Sequence, residues 1–376
     1  MWKTASILIG LVLLLLTLGI VMLASTSGAQ AESQFGDALF YVRRQAVWLI
    51  LAGIAAFACA KINYQVWKRF AIPLMIFCWI LLIMAVIPGV GVTVKGSSRW
   101  LRFGPVNLQP SELAKFATTI AMAWWFSRTQ RRVADFKKGF LIPLGGLGLT
   151  LLLIFIEPDF GTTLLLGVVG IVLMFVAGVR ISYLIIVSVL GLSGFFVAIM
   201  RNEERMRRII AFLNPDKYAQ DEAFQLLNAI YAFVVGGAGG VGLGQSIQKR
   251  FYLPEAHTDF IFAIVGEELG IIGSVGTIVV FIAIFLCGIH ICMNAPDSFG
   301  KLISLGFTMM ITLQATINIG VVTGCLPTKG LPLPFISFGG SSLVISMAMI
   351  GVLVNIARQS GGEVIEKTVK DKGHWF

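Results

Sequence analysis

Charged side chains are scarce in this sequence, and the ones that stand where long apolar runs begin or end are those placed to do chemistry. In YLPEAHTDFIFAIVGEELG, Asp259 falls at the start of such a run, with Glu255 and His257 beside it. A carboxylate there either caps the coming helix or is catalytic. Pro110-Ser111-Glu112 reads as a helix start, and Lys115, three residues on, shares a face with Glu112. A charge buried in a bilayer costs roughly 2.5–3.5 kcal/mol on insertion scales. The pair therefore implies a polar cavity or a mutual salt bridge. In Glu157-Pro158-Asp159-Phe160-Gly161-Thr162-Thr163, two carboxylates meet a tight turn. Asp159 either caps the next helix or lines the same cavity.

Basic residues also stand in three other segments. GVTVKGSSRWLRFGPVNLQPSELAK carries Lys95, Arg99 and Arg102 around Trp100, and its Gly and Pro residues predict irregular or re-entrant backbone. The segment 201–258 opens with Arg201, Arg205, Arg207 and Arg208. LPTKGLPLPFISFGGSS has Lys329 as its one charge, followed by Ser337, Ser341 and Ser342. Such cations suit a diphosphate, and they equally suit anionic lipid headgroups. GGAGGVGLG lacks the Gly-Lys-Ser/Thr of a Walker loop, so its glycines predict close backbone approach. Three histidines and five cysteines without metal-type spacing argue against zinc.

The elements that must position these residues are membrane spans. Of 376 residues, 57% are hydrophobic and only 13% charged, and mean hydropathy is +0.88. Ten apolar runs approach the ~20 residues that cross a hydrocarbon core, at 6–26, 45–62, 70–89, 111–127, 140–156, 162–179, 182–200, 260–291, 302–323 and 336–357. The first is long for a signal peptide and predicts a retained span. An even count puts both termini on one side, and the compact basic cluster 128–138 makes that side cytoplasmic. The long loop 201–258, between spans seven and eight, then lies outside, and AFQLLNAIYAFVV within it predicts an interfacial amphipathic helix. Glu267 and Glu268 are read as structural or cavity-lining. Residues 1–358 form one membrane domain, and the polar 359–376 a flexible cytoplasmic tail. The net charge of +10 lies in loops between spans, which favours lipid headgroups over nucleic acid.

In order, these motifs resemble the SEDS glycosyltransferases (shape, elongation, division and sporulation; the FtsW/RodA family). The resemblance runs over nearly all of 1–358, and Pro-Thr-Lys-Gly in the last motif is closer to the division branch, that of FtsW. Phe338 stands where the family commonly has Tyr. The resemblance implies an all-α fold of about ten spans in the bacterial cytoplasmic membrane. It implies polymerisation of lipid II into glycan strands at the outer face, with inversion and release of undecaprenyl pyrophosphate. Asp259 matches the family's essential aspartate and is expected as the base, with Lys115 stabilising charge and Glu112 orienting it. Arg99, Arg205 and Arg208 are expected on the pyrophosphates, and Asp159, His257, Lys329 and Ser341 around the substrate. A divalent cation, Mg or Mn, is expected at Asp259 if one is used. Partners implied are a class B penicillin-binding protein transpeptidase, other divisome proteins and membrane lipids. The rival functions are a lipid II flippase and a non-catalytic scaffold for the transpeptidase.

Overall fold

The computed structural model describes residues 1–94, 97–104, 106–249 and 253–372; Lys95 lies outside them. The chain is a bundle of long helices: α1 (Trp2–Phe35), α2 (Phe40–Lys61), α3 (Trp67–Val86), α4 (Pro110–Thr129), α5 (Ile142–Ile156), α6 (Phe160–Ala177) and α7 (Ile181–Met200). Two shorter helices follow, α8 (Glu203–Leu213) and α9 (Phe224–Gly236). Then come α10 (Ile261–Met293), α11 (Ser298–Val322) and α12 (Gly340–Lys372).

Among the described residues, nine helices are long and apolar enough to cross a membrane. The tenth expected run is α4, which is as long as a span at 20 residues, about 30 Å, but more polar. Packing explains the difference. α4 stands inside the bundle against α3, α5, α6 and α11, and its side chains are buried nearly all round from Pro110 to Ala123. A helix shielded from lipid has no need of an apolar outer face. α7 is the reverse case: only Leu184 is buried, and residues such as Leu190, 65% exposed, form the apolar surface a bilayer solvates.

Three expectations are corrected. The segment after α3 is a three-stranded antiparallel sheet, β1 (Gly91–Val94), β2 (Ser97–Phe103) and β3 (Val106–Leu108). Leu101 of β2 packs on Leu81 and Ala85 of α3, which anchors the sheet to the bundle. The tail is helical as far as Lys372, continuing α12. The long run at 260–291 does not only tilt; α10 is kinked at Gly270, whose φ of 68° is left-handed.

That kink explains the Gly-rich segment. Ile271 N donates to Gly237 O (2.9 Å), and Val241 N donates to Glu267 O (2.9 Å). A Cβ on Gly240 would collide with the Glu268 carbonyl, so the backbones touch where only glycine allows it. The side chains of the two glutamates then fasten the following loop. Glu267 accepts from Ser246 Oγ and from Ile247 N (2.8 Å). Glu268 accepts from Ser25 Oγ (2.6 Å) and Lys249 Nζ (2.8 Å).

Candidate active site

The start of α4, the α5–α6 turn, α8, the end of the long loop and the 326–339 segment surround one cavity of about 1210 Å³. Arg99, Glu112, Asp159, Arg205, Arg208, Asp259 and Lys329 all line it.

Asp259 does not cap α10, whose N-cap is Phe260 without a side-chain bond. Its backbone is tied to α11: Asn318 Nδ2 donates to Asp259 O (2.8 Å) and to Leu331 O (2.7 Å). A Cβ on Gly330 would lie 2.8 Å from Asp259 Oδ2, so the 326–339 segment closes on the carboxylate at Gly330. Neighbouring bonds fix the same register. Phe338 N donates to His257 O (3.0 Å), and Ser337 Oγ donates to Thr258 O (2.6 Å).

Glu112 and Lys115 form a salt bridge of 2.6 Å, with side chains 2% and 3% exposed. A pair so buried must satisfy its remaining donors. Lys115 Nζ does so on Gln314 Oε1 (2.7 Å), and Gln314 Nε2 donates to Pro332 O (2.8 Å). Gln314 and Asn318, four residues apart on one face of α11, thus tie the ion pair, the 326–339 segment and the backbone of Asp259 together. Sequence reading missed both amides. The available signal was two polar amides inside an otherwise apolar run.

Asp159 resolves its two alternatives by being both. It caps α6 by accepting from Thr162 N (3.1 Å) and Thr162 Oγ1 (2.9 Å), and it accepts from Ser111 Oγ and Gln109 Nε2 (both 3.2 Å) while lining the cavity. Its neighbour Glu157 is pushed up to about 9, first by burial and then by Asp159, with Arg99 opposing. Glu157 is therefore neutral at pH 7.

Arg99 grips the turn from β2, donating from Nε to Glu157 O (3.1 Å) and from Nη2 to Pro158 O (2.5 Å). The Arg205 guanidinium lies 3.5 Å from the Phe160 ring centroid, a cation–π contact. Burial, then the Arg99 and Arg208 charges, pull Arg205 below the usual arginine range. Three guanidiniums crowded enough to repel one another form a site that an anion relieves. Lys329 lies over Phe195 (5.1 Å); burial pulls it below the usual lysine range, partly countered by Asp159.

Three expected site residues sit off the cavity. Lys115 stands behind Glu112. His257 is buried and packs on Tyr41 (4.7 Å) and Phe338 (6.1 Å). Ser341 Oγ donates to Asn107 O (3.1 Å) and accepts from Gln109 N (3.2 Å), pinning β3 to α12, while its neighbour Ser342 lines the cavity. Among the described residues no group of three or more His, Cys, Asp or Glu is arranged to hold a metal ion.

The cell cycle protein family model FTSW_RODA_SPOVE matches residues 5–361. The chain is 41% identical over 344 residues to the "Probable peptidoglycan glycosyltransferase FtsW" of Geobacter metallireducens, covering 92% of each chain. It is 40% identical over 354 residues to the "Stage V sporulation protein E" of Bacillus subtilis, covering 94% of this chain and 97% of that one. Among solved structures it resembles a chain of a peptidoglycan synthase complex that coordinates polymerization and crosslinking. The TM-score there is 0.78 at 25% identity, covering 94% and 97%. It also resembles the rod shape determining protein RodA of Thermus thermophilus, with TM-score 0.70 at 25% identity, covering 94% and 96%.

Proposed function

The chain belongs to the FtsW/RodA/SpoVE family of cell cycle proteins, and from that premise we propose that it is a peptidoglycan glycosyltransferase polymerising lipid II during cell division. The observation that carries this reading is the shared cavity: one carboxylate, Asp259, faces the same space as the Arg99–Arg205–Arg208 cluster and Lys329.

The chemistry divides between those two groups. Asp259 takes the proton of the acceptor's 4-hydroxyl as that oxygen bonds to the donor's anomeric carbon. The bond from that carbon to the diphosphate oxygen breaks, and the departing negative charge meets the guanidiniums and Lys329. One displacement inverts the anomeric centre. The Glu112–Lys115 pair positions the wall opposite the 326–339 segment, with the lysine's charge acting from behind the glutamate. The cavity exceeds the roughly 300–1,000 Å³ of ordinary small-molecule sites, in keeping with a disaccharide carried on a diphosphate.

A divalent cation, Mg or Mn, fits this donor set only in one way. Asp259 lines the cavity beside the cations that would face the diphosphate, so Asp259 and the substrate's phosphates would hold it, as is usual for Mg²⁺. It would neutralise phosphate charge.

With α4 counted, ten spans leave both termini on one side; the basic cluster 128–138 supports the cytoplasm as that side, and the cavity then opens at the outer face of the cytoplasmic membrane. The partner is a class B penicillin-binding protein, with other divisome proteins and membrane lipids around the assembly. Packing beneath the ion pair weighs against a flippase. Phe116, the next residue of α4, stacks on Phe307 (4.9 Å) and meets Trp67 edge-on (5.2 Å), a packed set of apolar rings beside the ion pair.

The test is purified protein, with and without its transpeptidase, given labelled lipid II. Glycan ladders that disappear in Asp259→Ala support the polymerase. Ladders unchanged in Asp259→Ala would overturn the assignment of the base. Lipid II that crosses liposomes without ever forming polymer would replace the polymerase with a transporter.

A further inference from the structure

α4 reaches about 30 Å from the catalytic cavity, and at its far end the chain turns into α5 around a second cavity of about 690 Å³. Arg128, Arg131, Arg132 and Lys138 line it together with Trp124 and Trp125, and among the described residues no acidic side chain does. The turn is built rather than loose. Trp125 Nε1 donates to Lys138 O (2.8 Å), fastening the end of α4 to the approach of α5. The Arg128 guanidinium lies 5.7 Å from the Trp124 ring centroid. Asp135, the nearest acid in the chain, is engaged as a cap, accepting from Lys137 N (3.2 Å). Among the described residues no salt bridge joins any of the four cations to an acid.

Four like charges around one hollow repel, and a bound anion relieves that repulsion. The surroundings say which kind of anion. Ile142 lines the cavity, and it leads onto an exposed apolar strip of Phe136 (50%), Leu141 (48%) and Ile142 (40%). Cations and indoles above bare aliphatic and aromatic surface match a molecule with a phosphate at one end and hydrocarbon at the other. A soluble phosphate would use the first feature and leave the second idle. We propose that this cavity binds the headgroup of an anionic phospholipid from the leaflet opposite the catalytic cavity, with acyl chains along the exposed face of α5. The proposal stands apart from the polymerase reading and survives or fails without it.

The experiment compares two charge-matched quadruple variants of the full chain. R128Q/R131Q/R132Q/K138Q empties the cavity of cations. K3Q/K61Q/R69Q/K301Q removes four exposed ones from the same end of the bundle, where α1 and α11 begin and α2 ends. Native mass spectrometry of protein from mixed phosphatidylglycerol and phosphatidylcholine micelles reads the lipid retained. The wild type and the second variant are expected to keep phosphatidylglycerol selectively, and the first to lose that selectivity by roughly 10-fold or more. Quenching of tryptophan fluorescence by brominated phosphatidylglycerol, reduced by Trp124→Phe, gives a second reading that does not depend on the charge variants. Equal loss in both quadruple variants would mean diffuse surface charge and would overturn the site. So would displacement of the lipid by inorganic phosphate alone, which would make it a soluble-anion site.

Discussion

Asp259 and the Glu267–Glu268 pair lie within ten residues of one another, yet the fold uses them in opposite ways. Glu267 and Glu268 collect donors from Ser246, Ile247, Ser25 and Lys249, and so they hold a loop to a kinked helix. Asp259 is placed by its backbone carbonyl and by the glycine under its carboxylate, and its side chain lines a cavity with the arginines. Carboxylates enclosed by protein donors do structural work. A carboxylate that lines a cavity beside guanidiniums is placed to meet a ligand.

Substitution separates the two roles. Asp259→Asn keeps the size of the side chain and removes the base. Polymerisation is expected to fall by roughly 10²–10⁴-fold, with the thermal midpoint in detergent nearly unchanged. Glu268→Ala should do the reverse. It strands Lys249, whose side chain is only 9% exposed, and loss of one partner of a buried pair costs roughly 3–5 kcal/mol. The midpoint should drop, and activity should fall only in step with the folded fraction. Replacing both partners, Lys249→Met with Glu268→Leu, should recover much of the stability. A Glu268→Ala protein that melts like wild type and has lost turnover would erase the contrast.

Gly330→Ala sharpens it. The new Cβ meets Asp259 Oδ2 at 2.8 Å, so either the carboxylate or the 326–339 segment must shift. A displacement of about 1 Å costs up to roughly 100-fold in rate. Loss of turnover with little change in thermal midpoint is the expected result, and unchanged turnover would mean that the position of that oxygen is not critical.

The sequence made one half of this comparison visible. The spans, the ends at which charges collect and the close approach of the Gly-rich segment follow from apolar runs and residue chemistry, which are local. Even α4 is legible as a run, although its burial against α11 permits a more polar composition. The sheet was not: its strands are short, punctuated by glycine and proline, and held by α3 residues rather than by their own pattern. The motifs point Lys115, His257 and Ser341 to the cavity, whereas each faces a neighbour across a long sequence separation, Gln314, Tyr41 and Asn107. Such partners are set by tertiary packing, which one sequence does not display. Gln314 and Asn318 escaped notice for the same reason.

The smallest expected effect concerns Glu157 and Asp159, two residues apart with opposite surroundings. Asp159 accepts from four protein donors, a set that suits a carboxylate. Glu157 is held up at about 9 by burial and by Asp159 itself. Its folded form keeps a proton that the unfolded chain releases above its ordinary value of 4.5. The stabilisation linked to this group is therefore complete below about 4.5 and is lost as pH rises towards 9. Glu157→Gln replaces a neutral acid by a neutral amide, so turnover at pH 7 should stay within about twofold, since the group carries no charge to lose. The variant's thermal midpoint should gain on wild type as pH rises across that window. Asp159→Asn puts an amide where four donors converge, and both α6 capping and turnover should suffer. If Glu157→Gln stopped polymerisation at every pH, its carboxyl would belong with Asp259 rather than with the scaffold.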